Sequence, residues 1–169
     1  EIVHAHNIYG ALSYRCLAEA ERISARVFFT AHDVMSFAYA KLTHYITPER
    51  TDCPERPNYH TPWWVNLGMA RKRYNPWRNF VIRRRLNHLT KVFAVSRALA
   101  DALADNGITN VAVLRNRIDL TPWQPPSREI LAEFQSRHGL AGRRVLLFSG
   151  RISGAKGINQ ILLACAAVA

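Results

Sequence analysis

Cysteine is scarce in this sequence and poorly placed for structural work. Cys16, Cys53 and Cys165 are odd in number, far apart, and form no C-x-x-C pair. This argues against a disulfide framework or a structural zinc site and fits a reduced, cytoplasmic setting. Long hydrophobic runs are missing too. No stretch approaches the ~20 apolar residues of a membrane-spanning helix. The longest apolar run near an end, Ile161 to Ala169, stands at the wrong terminus for a signal peptide. There is no internal repeat and no low-complexity tract. Neither G-x-x-x-x-G-K-S/T nor G-x-G-x-x-G occurs, which removes the two commonest phosphate-binding fingerprints. Acidic residues are absent from 71–100, where nine Lys and Arg stand uncompensated.

What remains is a globular composition. The 169 residues are 49% apolar and 21% charged, too apolar for a wholly disordered chain. A single domain of this size buries roughly 70% of its unfolded surface. Residue 1 is Glu rather than Met, it opens on a strand-like run, and the last residues read as an unfinished helix. The chain therefore reads as a fragment of a longer protein. The net charge of +11 is local: residues 1–70 hold 6 basic and 7 acidic side chains, 71–100 hold 9 and none, and 101–169 hold 8 and 5. Two readings of segment 71–91 compete. One is a solvated helix face, with Ile82, Leu86, Leu89 and Phe93 as the buried stripe. The other is a surface for an anionic membrane or polymer, with Trp77, Phe80, Val81 and Ile82 as interfacial anchors. No nucleic-acid-binding motif accompanies the charge.

Along the chain, Ile2 to His6 reads as a short buried strand. Gly10 to Ile23 reads as a helix with Leu12, Cys16, Ala20 and Ile23 on one face, and Val27 to Thr30 as a second buried strand ending at His32–Asp33. Residues 34–76 hold five of the eight prolines and no sustained period, so a long loop region with short helices is expected there. Pro76 to Leu89 reads as a helix and Lys91 to Val95 as a third strand. Ser96 then caps a helix to about Asp105, which Asn106–Gly107 stops. Val111 to Leu114 is a fourth strand. The Pro-rich stretch Leu120 to Pro126 is a candidate linker, residues 127–138 an amphipathic helix, and Val145 to Phe148 a fifth strand. Strands nearly continuous in apolar residues, alternating with helices, indicate an α/β fold with a parallel sheet.

Four groups carry potential chemistry. Gly150 to Gly157 joins a strand to a helix N-terminus and includes Arg151 and Lys156, an arrangement that suits a diphosphate and equally an ordinary turn. His32–Asp33 stands at the carboxyl end of a strand, where open parallel sheets bind ligands. His4 and His6, two apart on a strand, share a face and with His32 and Asp33 could hold a divalent ion. Asn116–Arg117–Ile118–Asp119 follows the fourth strand and by itself is only a turn.

Taken in order, the segments Ile2–Val3–His4–Ala5–His6, Thr30–Ala31–His32–Asp33, Val95–Ser96–Arg97–Ala98–Leu99, Val113 to Asp119, and Phe148–Ser149–Gly150–Arg151 with Lys156–Gly157 resemble a family 4 glycosyltransferase of the GT-B fold. The resemblance implies two Rossmann-like domains, each incomplete in this chain. Residues 1–120 would be the second part of an acceptor-side domain, 121–126 a linker, and 127–169 the start of a donor-binding domain. It implies transfer of a sugar from a nucleotide-sugar donor with retention at the anomeric carbon, with no metal or cofactor. The setting would be bacterial cell-surface glycan or glycolipid synthesis, and the acceptor a glycan or a lipid-linked molecule. His32 would lie near the transferred sugar. Gly150, Arg151, Lys156 and Gly157 would hold the donor diphosphate, and His6, Asp33, Ser96 and Asn116 would line the cleft. Arg117 stands where the family usually has Gly and Ala155 where it usually has Glu, so the 116–119 turn is expected to differ. The family's first Gly-rich loop would precede residue 1 and its pair of glutamates would follow residue 169, so the chain alone is expected to be inactive. Two alternatives from other classes are a basic α/β module that binds nucleic acid or an anionic membrane, and a metal-dependent hydrolase built on His4, His6 and His32.

Overall fold

A computed structural model describes residues 1–9, 12–42 and 57–168. The chain divides into two compact units, residues 1–118 and 119–169. Much of the stretch expected as a long loop, residues 43–56, lies outside the described residues, as do Gly10 and Ala11 in the first expected helix.

The first unit is built from β1 (Ile2–His6), α1 (Arg15–Ile23), β2 (Arg26–Ala31), α2 (Trp63–Ala70), α3 (Pro76–His88), β3 (Lys91–Ala94), α4 (Arg97–Asp105) and β4 (Val111–Val113). The four strands are all parallel, in the order β1-β2-β3-β4. Because the order never reverses, right-handed crossovers carry every connecting helix to the same face of the sheet. The burial pattern agrees. Val27, Phe29, Ala31, Val92 and Ala94 are buried, together with Leu17 of α1, Ile82 and Leu86 of α3, and Leu99 and Leu103 of α4. Each such large side chain contributes about 1.5–3 kcal/mol when fully buried.

Residues of the opposite parity point to the other face. There Phe28 and Phe93 stack with centroids 5.8 Å apart, and the His4 ring meets both edge-on at 6.1 and 5.9 Å. His6 stands opposite Thr30, and Thr30 opposite Phe93. Phe93 therefore belongs to this sheet face and not to the α3 stripe. Ile82, Leu86 and Leu89 are buried as their spacing predicts, whereas Trp77, Phe80 and Val81 are exposed.

The helix ends follow local chemistry. Asn75 accepts the Trp77 N–H at 3.0 Å with Pro76 in the first turn of α3. Ser96 accepts the Leu99 N–H at 3.2 Å at the start of α4. Gly107, at φ +82°, ends α4 in a conformation that a Cβ penalises.

Three expectations need correction. First, β1 is not buried: Ile2 is 65% exposed, because β1 lies at an edge and pairs only with β2 among the described residues. Second, α1 starts at Arg15 and buries Leu17 and Ala20, while Leu12 and Ile23 are exposed. Tyr14 sets the rotation. It is buried, its ring meets Phe29 edge-on at 5.8 Å, and its hydroxyl bonds Ser36 Oγ at 3.0 Å, so the inward row runs 14, 17, 20. Third, Val145 to Phe148 forms no strand. Val145, Leu146 and Leu147 are exposed, and the described residues of the second unit offer no strand to pair with, without which a ladder cannot form.

The second unit holds a 3₁₀ turn at Thr121–Trp123, α5 (Arg128–Arg137), a second 3₁₀ turn at Gly154–Lys156, and α6 (Ile158–Val168). Ser127 caps α5, accepting the Ile130 N–H at 3.4 Å. Gly139 at φ +63° ends it.

Candidate functional site

In a parallel sheet the carboxyl ends of the strands gather at one edge, and β1, β2 and β3 bring His6, His32–Asp33 and Ser96 there. His6 Nδ1 lies 3.0 Å from His32 Nε2. His4 stands behind His6, ring centroids 4.3 Å apart, and its Nε2 is 2.8 Å from Thr30 Oγ1. The shared face expected for His4 and His6 is thus observed, and the strand register adds Thr30 to it.

A neutral imidazole offers one donor and one acceptor. In the His6–His32 contact one ring must donate while the other accepts, so at least one of the two is neutral. The His6 pKa is held below 6.5, first by desolvation and then by the neighbouring His4 and His32 rings.

Asp33 is held from two sides. Its Oδ1 accepts the Met35 N–H at 2.9 Å, and its Oδ2 accepts the Tyr9 hydroxyl. The hydrogen bond to Asp33 is the main reason the Tyr9 pKa is pushed up to about 12, with desolvation and the Asp33 charge adding to it. Tyr9 was not among the sequence candidates. It lies three residues past β1, beyond Asn7 at φ +47°.

His32, Asp33 and Ser96 line one cavity of about 280 Å³, with Val34, Val95 and Leu99 among its apolar walls. Ser96 already accepts the Leu99 N–H, which leaves its hydroxyl proton free to donate. A second cavity of about 440 Å³ runs between the start of α1 and the start of α3, lined by Tyr9, Leu12, Tyr14, Trp77, Arg78 and Val81 among others. The Tyr9–Asp33 hydrogen bond joins the linings of the two cavities: Tyr9 lines the larger and Asp33 the smaller.

Asn116 is exposed and lines neither cavity. Arg117 does not take a positive φ, so the 116–119 turn is built without the left-handed residue that Gly would permit. Among the described residues, no group of three His, Cys, Asp or Glu side chains is placed to hold a metal ion, which leaves the hydrolase alternative without a ligand set there. No helix among them is long and apolar enough to cross a membrane.

The remaining candidates belong to the second unit. Ser153 precedes the Gly154–Lys156 turn, whose Lys156 N–H bonds Ser153 O at 2.9 Å. Gly157 follows at φ +75° and its carbonyl accepts the Ile161 N–H at 3.1 Å, so it opens α6. The first-turn N–H groups of α6 have no intrahelical partners. Arg151 and Lys156 are both exposed, and Gly150 sits at φ +152°.

The family model described as Glycosyltransferase Family 4 matches residues 1–122. The chain belongs to glycosyltransferase family 4. No curated protein and no solved structure matches it significantly. The matched segment covers His6, His32, Asp33, Ser96 and Asn116, while Gly150, Arg151, Lys156 and Gly157 fall beyond it. The four-stranded parallel sheet with helices between strands is the Rossmann-like architecture expected of such a transferase domain. A glycosyltransferase binds a sugar donor and an acceptor, and the strand-end cluster with its two cavities is the candidate place for that binding in the first unit.

Proposed function

We propose that this chain serves the transfer of a sugar from a nucleotide-sugar donor to a glycan or lipid-linked acceptor, with retention at the anomeric carbon. Bacterial cell-surface glycan or glycolipid synthesis, on the cytoplasmic side, is the setting we infer. The observation that carries the reading is the His6–His32 contact beside the Tyr9–Asp33 pair, at the carboxyl ends of parallel strands in a family 4 chain.

Each group has a task. His32 meets the transferred sugar or the acceptor hydroxyl, and His6 fixes its ring orientation. Asp33, already accepting two hydrogen bonds, keeps lone pairs for a sugar hydroxyl, and the Ser96 hydroxyl donates into the same cavity. Arg151, Lys156, the Gly150 and Gly157 backbone and the α6 N-terminus receive the diphosphate. Two fixed cations there neutralise the charge that grows as the glycosidic bond breaks, the stage at which electrostatic stabilisation contributes most. Because these cations take the part a divalent ion plays elsewhere, the reading needs neither metal nor cofactor.

A panel of nucleotide sugars tested on the active transferase checks this. One donor should support transfer, give a product that keeps the donor's anomeric configuration, and lose turnover in His32→Ala. Inversion at the anomeric carbon would refute the stereochemical part. Activity abolished by chelators and restored by zinc would instead favour the hydrolase alternative.

A further inference from the structure

We infer that the outer surface of α2 and α3 docks on an anionic lipid bilayer. The inference is independent of the transferase reading, since docking needs neither donor nor acceptor.

Two sets of side chains meet on this surface. Trp64, Trp77, Phe80 and Val81 are 60, 70, 47 and 53% exposed, a large apolar display for two helices. Arg71, Lys72 and Arg73 form the 3₁₀ turn that follows α2, and Arg84 lies one turn beyond Phe80 and Val81 on α3. All four cations are exposed, and among the described residues no carboxylate pairs with any of them. Residues 71–100 contain no Asp or Glu.

The fold directs these groups outward together. Asn66 of α2 and Asn79 of α3 both donate their side-chain N–H to the Phe37 carbonyl, at 3.1 and 2.6 Å. One oxygen thus anchors the inward faces of both helices. At 3.6 residues per turn, Trp64 lies about 160° round from Asn66, and Trp77 and Val81 each lie about 160° round from Asn79. Trp64 on α2 and Trp77 with Val81 on α3 therefore face away from the shared anchor, while Phe80 stands at the flank of α3, about 100° round from Asn79.

The mixture selects the partner. Nucleic acid would accept the cations and stack on the rings, but it offers nothing to bury Val81 or Leu67, which is 41% exposed. The headgroup region of a bilayer takes tryptophan rings and aliphatic side chains while its anionic lipids meet the cations. The placement also has a consequence for the site. Trp77 and Val81 belong both to this surface and to the wall of the 440 Å³ cavity, which extends to Tyr9 and hence to Asp33. A bilayer held on α3 lies against the rim of a cavity that leads to the strand-end cluster.

The test is co-sedimentation of the full chain with vesicles of phosphatidylcholine alone or mixed with phosphatidylglycerol, at low and high salt. Binding should require phosphatidylglycerol, weaken with salt, shift tryptophan emission to the blue and be quenched by brominated lipid. The triple variant Arg71→Gln, Lys72→Gln, Arg73→Gln should lower partitioning by about fivefold per cation, or about 100-fold in all. Trp64→Ala with Trp77→Ala should lower it by about tenfold, with the fold verified by circular dichroism. Equal binding to both vesicle types, binding to neither, or wild-type partitioning of the triple variant would overturn the inference. Tight RNA binding that displaces the vesicles and leaves emission unshifted would make this a nucleic-acid face instead.

Discussion

The anchoring of α2 and α3 on one carbonyl makes a quantitative prediction about non-additivity. The Phe37 carbonyl accepts the Asn66 and Asn79 amides, and Asn66 is only 2% exposed. Removing Asn66 alone loses one hydrogen bond, a net cost of about 1 kcal/mol. It also removes Asn66 Oδ1, a buried acceptor with no partner among the described residues, whose desolvation already penalises the folded state. Asn66→Ala should therefore cost about 1 kcal/mol or less. Asn79→Ala should cost about 1–3 kcal/mol, because it also loses the bond that Asn79 Oδ1 accepts from Arg78 at 2.7 Å, while Asn66 still satisfies the carbonyl. With both gone, the Phe37 oxygen is left without a donor, and an unsatisfied group of this kind costs about 1–3 kcal/mol. The double variant should thus exceed the sum of the singles by about 1–3 kcal/mol. Thermal unfolding followed by far-ultraviolet circular dichroism reads this, at about 4 °C per kcal/mol for a unit of this size. The coupling should vanish in backgrounds where position 37 cannot be reached. Strict additivity of the two substitutions would falsify the shared-anchor argument and weaken the case for one continuous α2–α3 surface.

Three further predictions concern the site. In imidazole NMR titrations His6 should titrate below 6.5, and His32→Ala should move it back up by removing one of the like-charge neighbours. Since the unfolded chain then binds the proton more readily than the folded one, stability should rise with pH up to and through 6.5 and fall on acidification; a flat profile there would show that the ring cluster does not form. Arg151→Ala or Lys156→Ala should lower kcat/KM of the active transferase by about 10- to 100-fold at unchanged Tm, each removing a charge-assisted contact of roughly 1.5–3 kcal/mol, and wild-type kinetics in the double variant would reduce them to surface cations. Gly157→Ala should destabilise the α6 entrance by about 1–2 kcal/mol through φ alone, because a Cβ there meets nothing closer than Gln160 Oε1 at 3.8 Å; an unchanged urea midpoint would show that the left-handed turn is not required.

Sequence pattern reached the elements whose signals are local. The Ser96 cap, the Asn106–Gly107 stop, and the Ile82, Leu86, Leu89 stripe depend on groups within one or two helical turns, and they stand where the pattern puts them. Signals that depend on a distant partner misled. Val145 to Phe148 has strand composition but finds no partner strand among the described residues. The rotation of α1 is decided by Tyr14 meeting Phe29 and Ser36, contacts that no periodicity within residues 10–23 encodes. The Tyr9–Asp33 bond spans 24 positions, so Tyr9 could not be singled out beforehand. His32 and Asp33 could, since a strand end in a parallel sheet is a recognisable place for chemistry.

The histidines are available for chemistry because of register. With an unreversed strand order all helices cover one face, so the alternation along β1 decides which residues stay accessible. Val3 and Ala5 point towards the helices and pack against the core, while His4 and His6 point away. A slip of one residue would exchange them, placing two imidazoles against Phe29 and Val92 with no partners. That arrangement is strongly disfavoured, because each buried polar group without a hydrogen bond costs about 1–3 kcal/mol. The hydrophobic demand of the helix-covered face thus fixes the orientation of the polar residues on the other face. The same register sets His6 opposite Thr30, two residues before His32, and brings the two imidazoles to 3.0 Å. At that separation the contact survives only while one ring keeps its lone pair. The contact is therefore lost when both rings are protonated, and the lowered His6 pKa, caused first by desolvation and then by the His4 and His32 rings, favours the neutral ring that the contact needs.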